Sequence, residues 1–109
     1  QHMLQNASKL QQAGVTLGVG TDSGGAITPC GKIAWELRSL VHAGLSRQQA
    51  LAAATSDAAR VIRRPDLGVL EPGKVADLIL CRGNPAEDLA ALERIDVVVK
   101  AGRIVVGRL

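Results

Sequence analysis

Residues 13 to 23 read Ala-Gly-Val-Thr-Leu-Gly-Val-Gly-Thr-Asp-Ser, and the reading of this stretch decides the fold. From Val15 to Gly20 the chain is apolar, partly β-branched and free of charge, the pattern of a buried strand. It stops at Thr21, Asp22, Ser23, Gly24 and Gly25, a polar loop rich in glycine. Upstream, Leu4, Ala7, Leu10 and Ala13 recur every third residue and end at Gly14, which predicts a short amphipathic helix with a glycine cap. A helix, a buried strand and a polar loop in that order predict an α/β fold.

Downstream of Pro29, the stripe Ile33, Leu37, Leu40 and Val41, closed by Gly44, predicts a second helix. Ser46 and Gln49 have capping-box spacing, and Leu51, Ala54, Ala58, Val61 and Ile62 carry a further helix as far as Arg63. The composition changes at Pro65. From there the pattern predicts a turn over Glu71 to Lys74, a strand over Ala76 to Cys81, a turn over Gly83 to Pro85 and a short helix over Glu87 to Leu92. Strands over Ile95 to Lys100 and Arg103 to Val106 then form a hairpin around Ala101 and Gly102. Residues 1–64 are thus expected to form an α/β part and residues 65–109 a mainly β part.

With 109 residues, 47% hydrophobic and 21% charged, the chain is globular and forms one domain at most. Leu, Ile and Val supply 31 positions, enough for a core, but one Trp, no Phe, no Tyr and 16 Ala make that core aliphatic and modest. No run approaches the ~18 apolar residues of a membrane span, and the start lacks a charged-then-apolar leader. A soluble, cytoplasmic protein without a membrane partner is the expectation. A net charge of +3 is far from the basic block of a nucleic-acid tail. Cys30 and Cys81 are too few for a disulfide scaffold or a zinc knuckle and read as free thiols. His42 stands off its helix's apolar stripe and reads as a surface side chain; His2, in a Gln-His-Met start that looks like a cloning scar, carries no chemical weight.

Asp22 is the candidate for chemistry. A carboxylate directly after a buried strand, between Gly20 and Gly24, stands where α/β enzymes present a catalytic or metal-binding group. The plainer alternative is that Asp22 and Ser23 cap a turn. Phosphate binding by Gly18, Gly20 and Gly24 lacks support, since Ser23 stands where a dinucleotide fingerprint needs Gly and no Gly-Lys-Ser/Thr ending follows. A rival from another class is a free-standing binding module. It would read DNA through a helix-turn-helix over Leu45 to Arg64, with a turn at Thr55 and with Arg60, Arg63 and Arg64 on phosphates. Against it, that turn has no Gly, and Ala52, Ala53 and Ala54 suit close helix packing equally well.

Three stretches in this order carry a resemblance. They are Ala13 to Ser23, quoted above; Leu40 to Ala59, reading Leu-Val-His-Ala-Gly-Leu-Ser-Arg-Gln-Gln-Ala-Leu-Ala-Ala-Ala-Thr-Ser-Asp-Ala-Ala; and Gly68 to Leu80, reading Gly-Val-Leu-Glu-Pro-Gly-Lys-Val-Ala-Asp-Leu-Ile-Leu. Together the chain resembles the C-terminal portion of the amidohydrolase superfamily, in its imidazolonepropionase-like and prolidase-like branch. The resemblance runs from about Leu10 to Val106. It implies a metal-dependent hydrolase of carbon–nitrogen bonds, with a small-molecule amide, cyclic amide or dipeptide as substrate. It also implies a (β/α)8 barrel whose last strand is Val15 to Thr21, residues 1–64 closing the barrel and residues 65–109 joining a small β-sandwich.

On this resemblance Asp22 is similar to the family's aspartate that binds the metal and shuttles a proton. Ser23 and Gly24 beside it are the candidate substrate contacts, and Pro72, Gly73, Lys74 and Asp77 are structural. The implied cofactor is a divalent metal, zinc foremost. The departure is that a barrel takes ~250 residues, and the family's His-x-His pair and further ligands match nothing in a chain whose histidines are His2 and His42. A zinc-type site needs three or more protein ligands. The chain alone is therefore expected to be inactive, to hold no metal and to self-associate through exposed barrel edges. The loop Ser23 to Gly31, with Cys30 in it, is the one specificity element expected here.

Overall fold

The computed structural model describes residues 2–24 and 30–108. Helix α1 spans His2–Gln12 and ends as the glycine predicts: the Gly14 amide donates to the Gln11 carbonyl and the Val15 amide to the Leu10 carbonyl, both at 3.0 Å. This pair of backward bonds, with Gly14 left-handed, is a Schellman motif. Helix α2, Ile33–His42, stops the same way, the Gly44 amide reaching Val41 and the Leu45 amide reaching Leu40. Helix α3, Arg47–Ala54, begins with the expected capping box: the Gln49 amide donates to Ser46 Oγ at 3.1 Å and the Ser46 amide to Gln49 Oε1 at 2.8 Å.

The sequence pattern runs one helix to Arg63, whereas the structure divides it. Thr55, at φ −130 and ψ −98, leaves the helical region, and α4 restarts over Ser56–Val61. The reason lies beyond Pro65. Gly68, at φ +81, sits so close that a Cβ there would stand 2.6 Å from the Thr55 carbonyl oxygen. The other difference concerns residues 15–20, which run extended but pair with no strand among the described residues and are exposed or half-buried, not buried as the sequence predicts. A parallel strand needs a neighbour to accept its amides. Here one backbone bond to a helix stands in for a ladder, from the Val19 amide to the Ala53 carbonyl at 2.8 Å.

Beyond Pro65 the hairpin forms as expected. Strands β1 (Leu78–Cys81), β2 (Ile95–Lys100) and β3 (Arg103–Val106) make an antiparallel sheet in the order β1-β2-β3, with Ile79 opposite Val98 and Lys100 opposite Arg103. β1 begins two residues later than predicted, because the Asp77 amide turns back to the Val75 carbonyl at 2.9 Å. The short helix over Glu87 to Leu92 is a 3-10 turn over Leu89–Glu93, capped by Asp88, whose Oδ1 accepts the Ala90 amide at 2.9 Å. No helix among the described residues is long and apolar enough to cross a membrane.

The main core cluster draws on both sides of Pro65. Leu37 of α2, 1% exposed, packs with Ala50 of α3 and Leu89 of the 3-10 turn, and Val19, Leu40, Leu51 and Leu92 close around them. β1 packs against the 3-10 turn, and Ala91 of that turn and Val97 of β2 are both buried. β3, at the sheet edge, is exposed along its length.

Two backbone constraints yield predictions. Gly68→Ala imposes a left-handed Cβ and a collision with the Thr55 backbone, and should cost about 2 to 4 kcal/mol in urea denaturation. Ala101, at φ +48, occupies the first centre of the hairpin turn, with Gly102 at φ +76 behind it. Asn tolerates that conformation better than Ala, so Ala101→Asn should stabilise by about 1 kcal/mol, seen as a higher melting temperature.

Candidate active site

Asp22 closes the extended segment as a non-glycine residue in the left-handed region, φ +47. That conformation costs most L-residues about 1 to 2 kcal/mol, and Asp and Asn tolerate it best. Its neighbours' hydroxyls meet around it, Thr21 Oγ1 and Ser23 Oγ lying 2.5 Å apart. Asp22, Ser23 and Gly24 are all exposed, so the turn presents a carboxylate, a hydroxyl and a side-chain-free backbone together. The sequence-predicted trio therefore stands on one turn. Of the predicted loop Ser23 to Gly31, residues 25–29 lie outside the described residues, and Cys30 is exposed.

The turn is held from behind by the helices. Val19, three residues before Asp22, is tied to Ala53 of α3 and packs against the core. Gly18 lies flat on α4, where a Cβ would come 3.3 Å from Ala58 Cα and from Val61 Cγ2. These supports were not singled out from the sequence. The signal available was the glycine at 18 in an otherwise branched run, a mark of close backbone approach.

No three His, Cys, Asp or Glu side chains converge among the described residues. His42 is exposed at the end of α2. Of the arginines on which the DNA reading rests, Arg60 pairs with Asp57 and Arg64 with both oxygens of Asp66, while α4 itself has six residues. The third stretch of motif residues does structural work. Lys74 Nζ donates to the Pro65 carbonyl at 2.9 Å, and Asp77 accepts the Ala101 amide at 2.7 Å together with the Lys100 ammonium, fastening the entry of β1 to the hairpin turn. An open apolar groove of about 510 Å³ lies between Thr55, Gly68, Leu70, Ile79 and Val99; Asp22 is not in its walls.

The helices and the small antiparallel sheet that follows them have counterparts in hydrolases of known structure. A family model described as the amidohydrolase family matches residues 1–105, and the chain belongs to that family. It is 34% identical over 106 residues to the imidazolonepropionase of Shouchella clausii (strain KSM-K16), covering 93% of this chain and 24% of that protein. It is similar in structure to a Xaa-Pro dipeptidase with methionine bound in its active site, at TM-score 0.85 and 37% identity, over 95% of this chain and 25% of that one. A. niger ochratoxinase is similar at TM-score 0.83 and 32% identity, over 96% and 25% respectively. The chain spans about a quarter of the length of the curated relatives it matches.

The carboxylates away from the turn give a pH test of their structural role. Hydrogen bonding from Arg64 holds Asp66 down to about 2, against an ordinary 3.8. The Lys100 ammonium and the Ala101 amide lower Asp77, and the Arg38 guanidinium lowers Glu93. Depressed carboxylates add stability above their unfolded values and lose it as pH falls through the folded ones. The melting temperature should therefore hold down to about pH 5 and fall progressively toward pH 2. Asp77→Asn should flatten part of that fall.

Proposed function

We propose that this chain contributes the closing end of a metal-dependent hydrolase, with Asp22 as its reacting carboxylate. In this reading residues 15–21 are the last strand of a (β/α)8 barrel, and the sheet beyond Pro65 belongs to a small β-sandwich. The observation that carries it is the placement of Asp22: a strained, exposed carboxylate at the C-terminal end of an extended segment seated on two helices. Strained backbone of this kind clusters at active sites, and the C-terminal ends of barrel strands are where catalytic groups stand.

The reaction is hydrolysis of a carbon–nitrogen bond in a small amide, cyclic amide or dipeptide, in keeping with relatives named imidazolonepropionase and Xaa-Pro dipeptidase. Asp22 takes a proton from the attacking water as its oxygen adds to the carbonyl carbon, and returns that proton to the leaving nitrogen as the bond breaks. Ser23 and the backbone of Gly24 contact the substrate beside it. A divalent ion, zinc foremost, would supply Lewis acidity. The described residues do not complete a site for it, since catalytic zinc takes three protein ligands and no such cluster is present among them. Asp22 suits the role of one oxygen donor, the others coming from the length of the relatives that this chain does not span.

The test extends this chain upstream until the barrel is complete and follows amide hydrolysis and zinc content together. Asp22→Asn, which keeps the left-handed backbone, should lower kcat by about 10²- to 10⁴-fold with the melting temperature unchanged. Unchanged turnover in that variant overturns the proposal. The 109-residue chain by itself should show neither turnover nor stoichiometric zinc.

A further inference from the structure

The break at Thr55 and the seat of the Asp22 segment form one device. Because α3 ends at Ala54, its last carbonyls lack the amides that a longer helix supplies four residues on. Thr55 takes two of them. Its hydroxyl donates to the Leu51 carbonyl at 2.7 Å, and its amide donates to the Ala52 carbonyl at 3.0 Å. The next carbonyl in line, that of Ala53, receives the Val19 amide at 2.8 Å.

In a helix running straight through, the Leu51 carbonyl would take the Thr55 amide and the Ala53 carbonyl would take the amide of Asp57. Val19 would then have nothing to bind. By placing a hydroxyl where its own amide would have gone, Thr55 lets the backbone turn away while every one of these carbonyls keeps a partner. Gly68, pressed against the Thr55 carbonyl, holds the turn from the other side.

We infer that Thr55 is a positioning residue for Asp22: it frees the Ala53 carbonyl that clamps Val19, and so fixes the strand end three residues before the carboxylate. The inference rests on the reading of Asp22 as the reacting group, but the clamp at its centre can be tested without it. Displacement of a reacting group by about 1 Å can cost about 10²-fold in rate, so an anchor this near the carboxylate matters to chemistry as well as to folding.

The experiment is amide hydrogen exchange read residue by residue by NMR on the 109-residue chain. In the unaltered chain the Val19 amide should exchange at least about ten-fold more slowly than in an unstructured peptide. Thr55→Val, which keeps the shape and removes the hydroxyl, should raise the Val19 rate by about ten-fold or more while the amides of β2 keep theirs. Thr55→Ser, which restores the hydroxyl, should return Val19 to within about three-fold of its starting rate. An unprotected Val19 in the unaltered chain overturns the inference, as does unchanged protection in Thr55→Val with the sheet intact. Should Thr55→Val lose its fold, Thr55→Ala is read in the same way. In the protein extended upstream to a complete barrel, Thr55→Val should lower kcat about ten-fold at constant KM, with rescue by Ser. Full activity there, beside a dead Asp22→Asn, would leave the reading of Asp22 standing and remove the positioning role.

Discussion

The burial of Leu37 against Ala50 and Leu89 gathers three segments that are distant in sequence, and the placement of the other elements follows from it. Burying a leucine side chain contributes about 1.5 to 3 kcal/mol, a large share for a buried core of three leucines, one valine and five alanines. Ala50 and Ala53 let α3 approach closely, and Val19 fills the side of the same cluster. The segment that ends at Asp22 is thus fixed by the contact that also docks the 3-10 turn, against which β1 packs. The exposed Arg38–Glu93 pair lies along this seam and adds little beside the apolar contact.

Around that contact the chain relies on local closure. Helices α1 and α2 finish with the same two backward hydrogen bonds, and α4 repeats them with Arg63 in the left-handed position usually given to glycine. Such ends turn the chain sharply without leaving carbonyls unpaired, which matters where helices have between six and eleven residues and little length over which to gather stability. The Asp77 latch does the same for the sheet, coupling β1 to a turn more than twenty residues away.

Features governed by neighbours in sequence were legible in it. The capping box at Ser46 and Gln49, the glycine stops at Gly14 and Gly44, and the hairpin at Ala101 and Gly102 all stand where their residue types demand. Features governed by distant partners were not. Nothing within Leu51 to Ile62 reveals that Gly68 will press on Thr55, so an unbroken apolar stripe reads as one helix; the turn at Thr55 surfaced only in the helix-turn-helix alternative. Residues 15–20 have the composition of a strand, but composition cannot report whether a neighbour stands beside it. Asp22 was legible by type and place. Its left-handed backbone was not, because residue type permits that torsion in Asp without requiring it.

The edge strand carries a further consequence. Ile104, Val105 and Val106 are exposed side by side at the open margin of the sheet, with Arg103 before them and Arg108 shortly after. Short β-branched windows of this kind are templates for strand stacking, and flanking charges oppose it by bringing like charges together. The two arginines therefore act as gatekeepers, whose protection weakens as salt screens them. Association along this edge is thus governed by charge repulsion and ionic strength, a control separate from the packing of the core.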